Sequence, residues 1–278
     1  MVKVYISVDM EGIAGVSHNK PTQRGDASYG EAVELMVGEA NAAIDGAYDG
    51  GATEVTVNDS HGQMFNLTPE AMDPRARLVQ GKKPWSMVEA ARESQFDIAL
   101  FIGYHARAGH PRGTIAHTYT GRVTLATVNG RPASEAAVNA LYLGALNVPV
   151  GMVSGDDALA DELGEWLPWA DAVVVKRGVS WAAADSIHPS RARQLIRAAA
   201  RQAVERVVSG DRALRPLALE APLELLVDFA HAGQADVAGT IPGFTRSGDR
   251  GIKFLADDPV TLYRAFLSAV RLASTADD

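Results

Sequence analysis

The sequence contains no cysteine, so disulfides, thiolate metal sites and a cysteine nucleophile are excluded together. Any metal must be held by imidazole nitrogen and carboxylate oxygen. Long apolar runs are missing as well. Nothing approaches the ~20 residues of a membrane span, and Met1-Val2-Lys3-Val4 runs into strand-forming residues without the charged-then-apolar pattern of a leader. A soluble, cytoplasmic protein with no membrane partner is expected. No two glycines stand two apart, so the G-x-G-x-x-G of dinucleotide sites cannot occur. Walker A, G-x-S-x-G and H-E-x-x-H sequences are also absent, which removes the usual support for nucleotide binding and serine hydrolysis. Basic residues are in the minority, 26 against 34 acidic ones, for a net charge of −8. That balance disfavours nucleic acid as a partner.

What is present is an ordinary globular composition, 47% hydrophobic and 22% charged over 278 residues, enough for one large domain or two modest ones. Strand-like stretches at 3–8, 53–57, 76–79, 97–102, 122–128, 148–153 and 172–176 alternate with helical spacing at 29–49, 84–93, 134–146, 157–163 and 189–209. Asn129-Gly130 marks a tight hairpin turn. Further strands near 223–229 and 251–255 precede a closing helix at 258–273. The alternation predicts a three-layer α/β/α fold with a largely parallel central sheet. The Pro-containing stretch 210–222 is the one candidate joint, dividing an α/β core (1–209) from a C-terminal α+β segment (210–278) packed in the same unit.

In such sheets ligands bind beyond the carboxyl ends of the strands. The first strand ends in Asp9 and Glu11, whose i, i+2 spacing puts both carboxylates on one face, with Gly12 to let the backbone turn away. The next strong strand ends in Asp59 and His61, and the most apolar one in His105. Metal-competent side chains therefore converge on one edge of the sheet. Taken singly, each has a plainer reading. His61 suits a turn, His105 a hydrogen-bonded core position, and Glu135 the first turn of a helix. Asp156 and Asp157 suit helix capping. His110 suits a solvent-exposed loop, and His18, His188 and His231 have no cluster beside them.

Ser7-Val8-Asp9-Met10-Glu11-Gly12 resembles the S-x-D-x-E-G key of the zinc-dependent D-aminopeptidases of the dipeptide-operon type. The likeness continues through Val57-Asn58-Asp59-Ser60-His61, 101–108, Ala116-His117-Thr118, Asn129-Gly130-Arg131-Pro132 with Glu135, and 153–157, weakening beyond about Ser180. The resemblance implies a metallopeptidase with a binuclear site of two Zn2+ per chain. Asp9, Glu11, His61, His105 and Glu135 match the family's metal ligands, with Asp9 the bridge, and His117 matches a catalytic histidine that does not bind metal. It also implies a closed, ring-stacked homo-oligomer, here expected to be a decamer. The expected activity is removal of the N-terminal residue from short peptides, D-amino-acid peptides in particular, by a metal-activated water. Two alternatives stay open: another two-metal amidase or phosphoesterase, and a non-catalytic metal-binding assembly protein.

Overall fold

Lys3–Val8 has the β-branched and aromatic content of a strand and forms β1, near the middle of the main sheet. The computed structural model describes residues 1–93 and 95–277. After β1 come α1 (Tyr29–Asp49), β2 (Glu54–Asp59), β3 (Arg77–Val79) and β4 (Ile98–Tyr104). The middle of the chain supplies β5 (Val123–Val128), β6 (Arg131–Pro132), α2 (Glu135–Ala145), β7 (Val150–Asp156), α3 (Asp157–Trp166), β8 (Asp171–Ser180) and β9 (Ala183–Ser186). It closes with α4 (Pro189–Val208), β10 (Leu223–Phe229), α5 (Ala232–Ala238), β11 (Thr245–Ser247), β12 (Gly251–Ala256) and α6 (Pro259–Ala273).

The main sheet has seven strands in the order β3-β2-β1-β4-β7-β8-β9, parallel except for the β8–β9 hairpin. The expected largely parallel sheet with flanking helices is therefore present. Every residue of β4 is buried, as its unbroken apolar run implies. Ile98, Leu100 and Ile102 each contribute about 1.5–3 kcal/mol by leaving water. On one face Val4, Ile6 and Val8 pack with α1 and α4. On the other, Tyr5 and Phe101 join a core shared with α2, α3 and α6. Val8 stands level with Asp59 of β2 and Ile102 of β4, so β1 and β2 end together and β4 runs two residues further. The chain order reverses between β1 and β4, which is where such sheets open a crevice.

Behind the second face lies an antiparallel sheet, β11-β12-β10-β5-β6, that the sequence reading did not assemble. Its central pair joins residues about a hundred positions apart, Leu225 opposite Val128, a separation over which local patterns carry no pairing information. The hairpin at Asn129-Gly130 is as expected, with φ of 51° and 73°. Residues 210–222 do not stand free, because Leu217 is buried and its carbonyl lies against Gly144 of α2. The helix expected over 84–93 does not form. One 3-10 turn at Ser86–Val88 replaces it, and Ser86 and Ala90 adopt φ of 54° and 67°, values no right-handed helix admits.

A candidate metal centre

β1 delivers Asp9 and Glu11 through a close fit. The Asp9 amide continues the ladder by donating to Ile102 O at 2.8 Å, and the Gly12 amide donates to Gly103 O at 2.7 Å. A β-carbon on Gly12 would lie 1.8 Å from Tyr104 O. Glycine is thus required here for close approach to β4, not for the turn the sequence suggested. The following loop is gathered by a buried ammonium. Lys176 of β8 donates to the carbonyls of Glu11, of Ile13 (3.3 Å) and of Val16 (2.5 Å). Burial brings its pKa down to about 8.

Four further side chains close on these carboxylates. His61 follows β2, and its Nδ1 lies 2.9 Å from Glu11 Oε2 and 3.3 Å from Asp9 Oδ1. Its Nε2–H donates to Thr22 O at 2.8 Å, which leaves Nδ1 to face the carboxylates, as a donor while protonated and as a ligand once its proton is lost. His105 follows β4 and donates from Nδ1 to Ala106 O at 3.0 Å. Its Nε2 is 3.4 Å from both Asp9 Oδ2 and Glu135 Oε1, is buried, and makes no hydrogen bond. Glu135 opens α2, where Ser134 is the N-cap, and accepts the Tyr119 amide at 2.6 Å. His117 stacks on His105 with ring centres 4.2 Å apart. Its Nδ1 donates to Ile115 O at 2.8 Å, and its half-buried Nε2 is 3.8 Å from Glu135 Oε1.

All six sequence-predicted residues thus meet at one place, at the floor of a cavity of about 640 Å³. Donor atoms of Asp9, Glu11 and His105 fall within 4.8 Å of one another, as do those of His105, His117 and Glu135. His117 is therefore as well placed to ligate as to stand beside a ligated metal. The donor set, nitrogen and oxygen only, fits zinc. His105 Nε2, buried between two carboxylates and without a hydrogen bond, is a nitrogen that a cation held there would satisfy.

The charges of the histidines and of Glu11 and Glu135 support one another. Burial alone would push His61 and His105 down, but Glu11 and Asp9 around one, and Glu135 and Asp9 around the other, outweigh it and hold both well above the ordinary value. Burial would push Glu11 and Glu135 up, but His61 and His105 hold them low. Stability from a raised histidine is present below its unfolded value near 6.5 and lost as pH rises through the folded one. Stability from a lowered glutamate is present above about 4.5 and lost as pH falls. Metal-stripped protein is therefore expected to melt highest between about pH 4.5 and 6.5 and to lose stability on the alkaline side. The metal-loaded protein, in which a cation replaces the protons, is expected to lack that alkaline decline. Melting curves across pH, with and without a chelator, check this.

Other residues take different roles. Asp59 does not face the centre. It is spent on its own loop, accepting from the amides of Asn66 (2.5 Å) and Leu67 (2.8 Å). Asp156 caps α3 by accepting from Leu159 N at 2.9 Å, as expected. His188 sits at the N-cap of α4, and His110, half-buried rather than fully exposed, accepts from Arg112 N. Ser7 binds Ser60 Oγ (2.6 Å), Tyr104 Oη (2.7 Å) and Met87 O (2.9 Å), tying the ends of β1, β2 and β4 together. Sequence reasoning missed Thr22, Tyr119 and Lys176, because each acts over a long separation and only Lys176 carries a signal, a charge within an apolar strand. Ile115 and Tyr119, which flank His117, hold φ of 54° and 62°. That strain is uncommon for a β-branched residue and typical of functional loops.

Residues 2–268 match a protein-family model described as D-aminopeptidase. The chain is 38% identical over 274 residues to the D-aminopeptidase of Bacillus subtilis (strain 168), covering 98% of each. Its fold is similar to that of the solved Zn-dependent D-aminopeptidase DppA from Bacillus subtilis, a self-compartmentalizing protease, with a TM-score of 0.90 and 36% identity over 98% of both chains. The resemblance read from the S-x-D-x-E-G block is borne out, and the amidase, phosphoesterase and non-catalytic alternatives find no support among these relatives. No helix among the described residues is long and apolar enough to cross a membrane.

Proposed function

The chain belongs to the D-aminopeptidase family, and from that premise we propose that its carboxylate–imidazole centre holds two zinc ions and removes the N-terminal residue from short peptides, D-amino-acid peptides above all. It is a metal-dependent aminopeptidase. The observation that carries the two-ion reading is the way Asp9 divides its oxygens. Oδ1 faces His61, which Glu11 also faces, and Oδ2 faces His105, which Glu135 also faces. Each half holds one imidazole, one glutamate and one oxygen of a shared aspartate, so Asp9, Glu11, His61, His105 and Glu135 would hold the two ions, with Asp9 shared between them. When bound, zinc would supply Lewis acidity, lowering the pKa of a water and polarising a carbonyl. The test is metal analysis of purified protein, expected to give about two zinc per chain, joined to an assay on D- and L-dipeptides. Activity indifferent to chelators overturns the reading.

His117 works beside this set. With Nδ1–H committed to Ile115 O, its Nε2 can take a proton from the attacking water and return it to the departing amine. His117→Ala is expected to keep its zinc and lower turnover by roughly 10²–10⁴. Loss of a zinc ion in that variant would instead make His117 a ligand.

The catalytic core spans 1–209, and 210–278 packs onto it as part of one unit, bringing α6 to the cavity wall. Assembly follows the self-compartmentalizing relative, as a closed homo-oligomer of ten chains. Exposed Trp181, on the turn after β8 and in the cavity lining, is an apolar surface for such contacts. Sedimentation of the active protein is expected to show a large closed species, and a fully active monomer overturns the assembly.

A further inference from the structure

The cavity is electrically lopsided. Its lining carries the carboxylates of Asp9, Glu11 and Glu135, and also Arg271 of α6 with Leu267 and Val270. A second hollow of about 450 Å³ opens beside it, sharing the 62–64 loop, Ser86 and Arg271, and adding Lys82 and Lys83. Among the described residues no Asp or Glu lines this hollow. Lys83 is buried and spent on Asp59 O at 2.6 Å, but Lys82 is exposed, and neither it nor Arg271 pairs with a carboxylate among the described residues. Arg271 is also held in place, since its Nη2 donates to Lys83 O (3.0 Å) and Pro84 O (3.1 Å). A guanidinium fixed at one nitrogen with its charge unmatched is pre-organised for an anion. Arg24, the other arginine lining the main cavity, lies over the Tyr29 and Phe65 rings and donates to Phe65 O at 2.5 Å, so it is committed to its loop.

We propose that Arg271, assisted by Lys82, forms a carboxylate subsite that takes the free C-terminal carboxylate of a short peptide and so sets the length of substrate the centre cleaves. The inference rests on the aminopeptidase reading, which places the scissile bond at the acidic floor. The charge that every unblocked peptide carries at its other end is a carboxylate, and an arginine fork matches it. Each added residue moves that carboxylate by about 3.3–3.6 Å. A fixed anion site therefore favours one length and disfavours chains extended or blocked at the C-terminus.

The experiment compares kcat/KM for a D-dipeptide as the free acid and as its C-terminal amide, in the parent and in Arg271→Gln, Arg271→Lys and Lys82→Gln. The parent is expected to prefer the acid by about 10–100-fold, the scale of a charge-assisted pair. Arg271→Gln is expected to bring the ratio close to one, Arg271→Lys to restore part of it, and Lys82→Gln to lower it less. A parental ratio near one, or a ratio unchanged in Arg271→Gln, overturns the subsite. Should the parent cleave neither compound, calorimetric binding of the same pair separates the two claims. Arg271-dependent preference for the acid keeps the subsite while the activity reading falls, and equal binding overturns the subsite itself.

Discussion

An Asp9→Asn protein is expected to lose zinc and turnover together, yet to be no less stable than the parent once both are stripped of metal. Asp9 Oδ1 and Oδ2 face His61 and His105 at 3.3 and 3.4 Å. An amide offers one neutral oxygen, and a nitrogen with no free lone pair, so at least one half of the donor set is left with a histidine and a glutamate only. Without metal the sign reverses. Burial and the neighbouring Glu11 charge hold the Asp9 carboxyl above its ordinary value, more than the His105 and His61 contacts pull it down. Stability from a carboxyl raised in the fold is present below its unfolded pKa, about 3.9, and is lost as pH rises through the folded one. At neutral pH the ionised form is thus a cost that asparagine removes. Metal content by mass spectrometry, with melting in the presence and absence of a chelator, checks both halves. Parental zinc levels in the variant would refute the bridge, and a stripped variant melting well below the stripped parent would refute the cost of its charge.

Gly12→Ala is expected to leave little folded protein, for a reason unrelated to metal. The added β-carbon would lie 1.8 Å from Tyr104 O and 2.5 Å from the Gly103 carbonyl carbon. Neither side can retreat. Gly12 is bonded to Gly103 O, and Gly103, at φ of +70°, already has Asp9 O 2.3 Å from where its own β-carbon would sit. Two central strand ends would have to part, at more than about 4 kcal/mol, out of a total stability of about 5–15 kcal/mol. Soluble yield and a urea unfolding midpoint measure this, and a soluble variant with the parental midpoint would show that the strands can separate.

Much of the candidate centre was legible in the sequence because its side chains sit at strand ends, where a break in an apolar run is visible. Asp9, Glu11, His61 and His105 were found that way. Glu135 was not, since a carboxylate in the first turn of a helix needs no metal to explain it, and it entered only through the family pattern. Asp59 looked equivalent to His61 and is not, because the end of β2 turns so that one side chain faces the centre and the other its own loop. The second sheet was hidden by the distance between β5 and β10, and the failed helix at 84–93 by two backbone angles that composition does not reveal.

The order in which the chain leaves the ribosome gives the cavity wall a further meaning. Domains begin to organise from the N-terminus during synthesis. The six side chains of the centre are all made by residue 135, whereas Lys176, which ties down the loop after Glu11, comes later, and α6 ends only at Ala273. The growing chain therefore carries its reactive groups long before Leu267, Val270 and Arg271 close one side of the cavity around them. The side chains of the centre and the wall that faces them thus come from distant stretches of one chain, the wall from α6.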